Sequence, residues 1–146
     1  MNGQRASRRA ISGFSMIELL VVMIIVGILA SIAVASYRSN VMQANRTDAI
    51  RAMTSWRQSL ERCYSQSYTY VGCSAIPGTL PTPSPSAYYL ISFPTLAASS
   101  YKIVATPTGR QVNDTTCASF QVTNTGAQAA QTSGGVDSTR TCWGSN

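Results

Sequence analysis

The chain has no histidine and only five acidic residues among its 146, namely Glu18, Asp48, Glu61, Asp114 and Asp137. Without histidine there is no histidine-based triad, no imidazole general base, no pH switch near neutrality and no imidazole ligand for zinc. Five carboxylates scattered over the whole length leave little room for a catalytic pair or a calcium loop. Charged residues make up 11% of the chain, less than half the usual figure of about 25%. Phosphate loops, nucleophile constellations and internal repeats are also lacking. These absences point away from an enzyme, and no catalytic residue, metal or cofactor is assigned. The chain is nonetheless 45% hydrophobic with a net charge of +6, which is not the composition of a disordered tail. Such apolarity with so few charges implies an uneven distribution.

The uneven part is the N-terminus. Residues 1–13 carry Arg5, Arg8 and Arg9 and no acid. From Leu19 to Ala35 every residue is apolar or small, with Ser31 the only hydroxyl, and Glu18 is the one charge between Phe14 and Tyr37. As a helix, that stretch would reach about 36 Å, enough to cross a hydrocarbon core of roughly 30 Å. Basic residues before it favour a cytoplasmic N-terminus and place the remainder in an oxidising compartment. Three readings compete. One is a secretory signal peptide with Ala33-Val34-Ala35 as its cleavage site, giving a start at Ser36. A second is a plain single-pass anchor. Both leave Glu18 unexplained, since a carboxylate within an apolar helix is costly and marks a function.

The third reading uses Glu18. Gly13-Phe14-Ser15-Met16-Ile17-Glu18 followed by a pure apolar run resembles the type IV prepilin signature, with leader charge, glycine, phenylalanine and glutamate in the order and spacing of that family. The resemblance implies cleavage between Gly13 and Phe14 by a prepilin peptidase, N-methylation of Phe14 and an assembly role for Glu18. Cutting before the apolar segment keeps the helix on the protein. The Phe14 amine and the Glu18 carboxylate then lie about one turn apart. Paired within a chain or between neighbours, they relieve each other's cost in lipid, and a pair between chains can fix axial register. Many major pilins carry a helix-kinking proline where this chain has Ala35, so local melting has only Gly27 to support it here.

No proline precedes Pro77, and Gly27 is the only glycine between Phe14 and Tyr70. Ala49, Met53, Trp56, Leu60 and Cys63 form an apolar stripe at helical spacing, with Arg46, Asp48, Arg51, Arg57 and Arg62 mostly off it. The spacing predicts one helix from Phe14 to about Tyr64. Residues 65–87, with prolines at 81, 83 and 85, form a connection, extended from Thr79 to Ser86. Strands are expected at Tyr88–Phe93, Tyr101–Thr106 and Ala118–Thr123, with Ala127–Gln131 pairing weakly and the tail irregular unless pinned. The expected fold is α+β, a type IV pilin fold in which one long N-terminal helix packs on a small antiparallel sheet. The expected divisions are a leader over 1–13, a transmembrane assembly helix over 14–37 and a head over 38–146.

Cys63, Cys73, Cys117 and Cys142 lie beyond the apolar segment and show no CxxC spacing, so they suggest two disulfides and not a metal site. Three connectivities are open. The most economical joins Cys63 to Cys73 and Cys117 to Cys142. Removing the leader lowers the net charge to about +3, far from a strongly basic nucleic-acid domain. A DNA-contacting patch of Lys102, Arg110 and Arg140 is the alternative to an ordinary solvated surface. Asn113-Asp114 is expected to be a turn. The tyrosines at 64, 68, 70, 88, 89 and 101 are expected in a half-buried core. The resemblance, closest to minor pilins of the PilE-like kind, implies a pilus subunit acting in pilus biogenesis, twitching motility and adhesion. Its partners would be other pilins, the prepilin peptidase, the inner-membrane assembly machinery and, before assembly, lipid. The implied course is from the bacterial inner membrane, head in the periplasm, to the extracellular pilus. The alternatives are a DNA-binding minor pilin for DNA uptake and a type II secretion pseudopilin.

Overall fold

The computed structural model describes residues 14–78 and 80–144. The expected leader, residues 1–13 with Gly13, lies outside them. The chain divides into two units, one ending at Arg38 and the other beginning at Ser39. Helix α1 (Met16–Ser67) contributes to both. It starts two residues after Phe14 and runs three beyond Tyr64, because neither proline nor a second glycine interrupts it.

In the first unit every described residue is exposed. The most apolar 18-residue window of α1 has a mean hydropathy of 2.9 and none of it is buried, so this helix is long and apolar enough to cross a membrane.

The second unit buries the apolar stripe. Ala49, Ala52, Met53 and Leu60 are buried, while Trp56 and Cys63 are half-buried. They pack with a five-stranded antiparallel meander in sequence order: β1 (Thr82–Pro83), β2 (Tyr89–Leu96), β3 (Tyr101–Pro107), β4 (Ser119–Thr123) and β5 (Gln128–Gln131). Alternate residues point inward, as a half-covered sheet requires: Tyr89 and Ile91, then Tyr101, Ile103 and Ala105, then Phe120 and Val122, then Ala130. Edge-to-face contacts join Trp56 to Phe93 at 5.6 Å, Tyr70 to Tyr101 at 4.8 Å and Phe120 to Trp143 at 5.8 Å between ring centroids.

Three elements go beyond the sequence expectation. The proline-rich connection contains a strand, β1, paired with β2 through Thr82–Ile91 and Pro83–Leu90; at a sheet edge the missing proline N–H is tolerated. The β2 strand continues through Pro94 to Leu96 because a bulge between Ser92 and Thr95 takes up the irregularity. The tail is ordered into α2 (Thr139–Trp143). Ser138 N–H donates to the Ala130 carbonyl, Ala130 N–H to Thr139 Oγ1, and Trp143 Nε1–H to the Ala129 carbonyl. Disulfides join Cys63 to Cys73 and Cys117 to Cys142. The second pins the tail.

Replacing Cys117 and Cys142 by serine removes a loop closure spanning 25 residues and is expected to lower unfolding free energy by about 3 kcal/mol. Urea unfolding of the full chain in detergent, followed by Trp143 fluorescence, measures it.

Candidate functional site

Phe14 is 80% exposed and precedes the helix. Ser15 caps it: the Glu18 N–H donates to Ser15 Oγ at 3.2 Å, and the Leu19 N–H donates to the Ser15 carbonyl. Glu18 therefore occupies the third helical position, where the exposed amides and the positive end of the helix dipole favour a carboxylate. The signal was present as Ser-x-x-Glu ahead of an apolar run, half of a capping box, and it gives Glu18 a local role beside any intermolecular one.

In the second unit α1 is held first by a buried polar clamp. Arg46 donates through Nε to Asp114 Oδ2 at 2.7 Å and through Nη2 to Oδ1 at 2.8 Å, with side chains 12% and 3% exposed. Asp114 also accepts from the Cys117 N–H, and its neighbour Gln111 shares its amide protons among the Met42 carbonyl, the Tyr89 hydroxyl and Asp114 Oδ2. Asn45 donates back to Gln111 Oε1. Asp114 follows a short 3-10 turn, Gly109–Asn113, so the expected turn exists but its aspartate is committed to a buried ion pair. Arg46, placed off the apolar stripe, is mostly buried because that pair neutralises it.

Asp48 corrects the same expectation. It is buried, accepting from Ser84 Oγ and the Ser86 N–H, while Ser84 Oγ accepts from the Tyr89 N–H. Glu61 accepts from the hydroxyls of Tyr70 and Tyr101. Burial, followed by the hydrogen bond to Glu61, pushes the Tyr101 phenol up to about 12, with Arg57 acting against it. Burial also pushes Tyr89 up to about 12, opposed by its hydrogen bond from Gln111. Asp137 is bonded by the hydroxyl and N–H of Thr139, which hold its carboxyl below the usual range. All four acids of this unit thus bond internally. Among the described residues the Arg46–Asp114 contact is the one ion pair, so Arg51, Arg57, Arg62, Lys102, Arg110 and Arg140 have no carboxylate partner.

Lys102 and Arg110 lie at opposite ends of β3. Lys102 lies at the start of β3, beside Thr95 and Thr123, whereas Arg110 follows the other end of that strand; the five residue steps from Lys102 to Pro107 alone span about 17 Å. Arg140 is exposed on α2. Of the tyrosines, 70, 89 and 101 are core residues and Tyr64 stacks on Tyr70, but Tyr68 and Tyr88 are exposed.

A family model described as the prokaryotic N-terminal methylation motif matches residues 8–34. Another, described as type IV minor pilin ComP, DNA uptake sequence receptor, matches residues 35–121. This covers more than half of the chain, which belongs to that family of type IV minor pilins. A probable minor fimbrial protein of Dichelobacter nodosus is 36% identical over 63 residues, 43% of this chain and 40% of that protein. The chain thus spans well under two thirds of that relative. Among solved structures, the Neisseria meningitidis non-core minor pilin PilV has a TM-score of 0.52 at 16% identity, over 65% of this chain and 91% of that one, a likeness of fold. A type IV pilin from Shewanella oneidensis has a TM-score of 0.45 at 27% identity, over 60% and 89%.

Asp114→Asn leaves the Arg46 guanidinium without its counter-charge and should cost about 3–5 kcal/mol, while Arg46→Met combined with Asp114→Leu should recover much of that; urea midpoints separate the two. Raised phenol values mean that folding holds protons on Tyr89 and Tyr101 which the unfolded chain releases near its ordinary value of 10.0. Stability is therefore complete below pH 10 and falls as pH rises towards 12. Phenolate absorbance should show these two ionising last, concurrently with loss of structure.

Proposed function

We propose that the chain is a minor subunit of a type IV pilus, made with a leader over residues 1–13, an assembly helix over 14–37 and a head over 38–146. The observation that carries it is Glu18, an acid at the entrance of an otherwise uncharged helix directly behind Gly13 and Phe14. Cleavage falls between these two, and the methylated amine is on Phe14. The subunit resides in the bacterial inner membrane with the head in the periplasm until the assembly machinery adds it to the filament among other pilins. The amine of one chain and Glu18 of another then set the axial register. Pilins of this kind are structural subunits, and the chemistry is performed on them by the peptidase.

The test begins with the mature N-terminus by mass spectrometry, expected to be N-methyl-Phe14; a start at Ser36 overturns the reading. A Glu18→Ala protein should be cut and inserted normally yet be missing from sheared pili, and incorporation at the parental level would refute the assembly role. Deletion should remove surface pili and leave secretion intact, which separates a pilus subunit from a type II secretion pseudopilin.

A second reading, DNA capture for uptake, is favoured by one observation: every acid of the head is hydrogen-bonded internally while seven of its cations have no carboxylate partner. The ComP description matched by residues 35–121 agrees with it. Such a head presents positive charge outward in excess of its modest net value.

A further inference from the structure

The first turns of α1 in the second unit carry a polar face that the core does not use up. Ser39, Met42, Gln43 and Arg46 follow at spacings of three, one and three, which puts them on one side of the helix. Asn113, Thr115 and Thr116, around Asp114, form a second wall, and Thr141 of α2 forms a third. Together they line a recess of about 180 Å³.

The walls are fastened to one another. The Arg46–Asp114 pair ties the helical wall to the loop, and Cys117–Cys142 ties the loop to α2. Ser133 N–H also donates to the Thr115 carbonyl. A recess held in this way loses little entropy when something fills it.

The lining limits what can fill it. Asp114 already accepts from Arg46 Nε and Nη2, from Gln111 Nε2 and from the Cys117 N–H, which uses the lone pairs a carboxylate offers. A cation finds no free oxygen there. The charge of Arg46 is in turn spent on Asp114, so an anion meets a neutral pair. What remains is neutral hydrogen bonding. Among the described residues the side chains of Ser39, Gln43, Asn113, Thr115, Thr116 and Thr141 have no internal partner. Hydroxyls and amides both donate and accept, and Arg46 Nη1 adds a donor that Asp114 does not use. Met42 and the threonine methyl groups supply apolar contact.

We propose that this recess binds one neutral sugar unit of a glycan. A pyranose ring has hydroxyls that donate and accept around its rim and C–H groups on its faces, the combination this lining matches. At about 30 Å³ per water the recess has room for about six, which suits a single ring and not a longer segment. The glycan is either that of a cell wall, built from N-acetylated amino sugars, or a hexose polysaccharide of a surface.

Saturation-transfer NMR tests this on the full chain in nanodiscs of zwitterionic lipid, which keep sugar-headed detergents out. N,N′-diacetylchitobiose stands for wall glycan, and the methyl glycosides of glucose, galactose and mannose stand for surface hexoses. At least one of these should bind saturably. Gln43→Leu with Thr116→Val removes two polar groups that the fold does not use. It should weaken that probe about 30-fold and leave the melting temperature unchanged. Thr116→Ser alone keeps the hydroxyl and should keep the affinity, whereas Thr141→Trp fills the recess and should abolish binding. Tyr68 is 81% exposed and lies outside the recess, so Tyr68→Ala should bind as the parent does. Parental affinity in the Gln43, Thr116 variant overturns the proposal. So does loss of binding in Tyr68→Ala, which places the sugar on an exposed ring. Failure of every probe overturns it as well; if the recess variants then lower self-association of the chain, the recess is a contact between subunits.

Discussion

The pairing of Arg46 with Asp114 decides where the head takes hold of its helix. A guanidinium and a carboxylate that are both nearly sealed from water tolerate each other's removal badly. Around them Gln111 engages the Met42 carbonyl and Tyr89, and Asp48 engages Ser84 and Ser86. These bonds are directional where the neighbouring contacts of Ala49, Ala52 and Met53 are not. Apolar packing alone would let a sheet slide along a helix whose small and large side chains recur every turn. The clamp selects one register out of several that hydrophobic burial would accept.

Much of this fold was legible because it is written in periodicity. The apolar run, the helical stripe from Ala49 to Cys63 and the three strongest strands each repeat a pattern over many residues. What escaped is written in single long-range pairs. Asp114 lies 68 residues from Arg46, and nothing local distinguishes it from any other turn aspartate. Strand β1 escaped because Pro81, Pro83 and Pro85 argue against a strand everywhere except at an edge. Helix α2 escaped because five residues rich in threonine have little propensity of their own; the disulfide and Trp143 hold them in place. Of the candidate sites, Glu18 stood out as a charge in the wrong company, whereas the recess beside Arg46 gives no such sign, since its walls come from three separate stretches that meet only on folding.

The charge of the molecule is therefore less a matter of composition than of placement. Composition gives eleven basic residues against five acids. Folding buries two of the acids, Asp48 and Asp114, and one cation, Arg46, goes in with Asp114, so the surface is slightly more positive than the sum. The apolar first part of α1 is the reverse case, an otherwise uncharged stretch carrying one acid at the end where a helix best accommodates it.

The strand that ends the sheet has its own significance. The main-chain groups of Ala130 that face away from β4 are taken by Ser138 and Thr139, and Cys117–Cys142 keeps them there. An open edge of this kind invites another strand to add to it. At high local concentration such addition would yield cross-β aggregates. The stapled tail closes that route on the β5 side of the sheet.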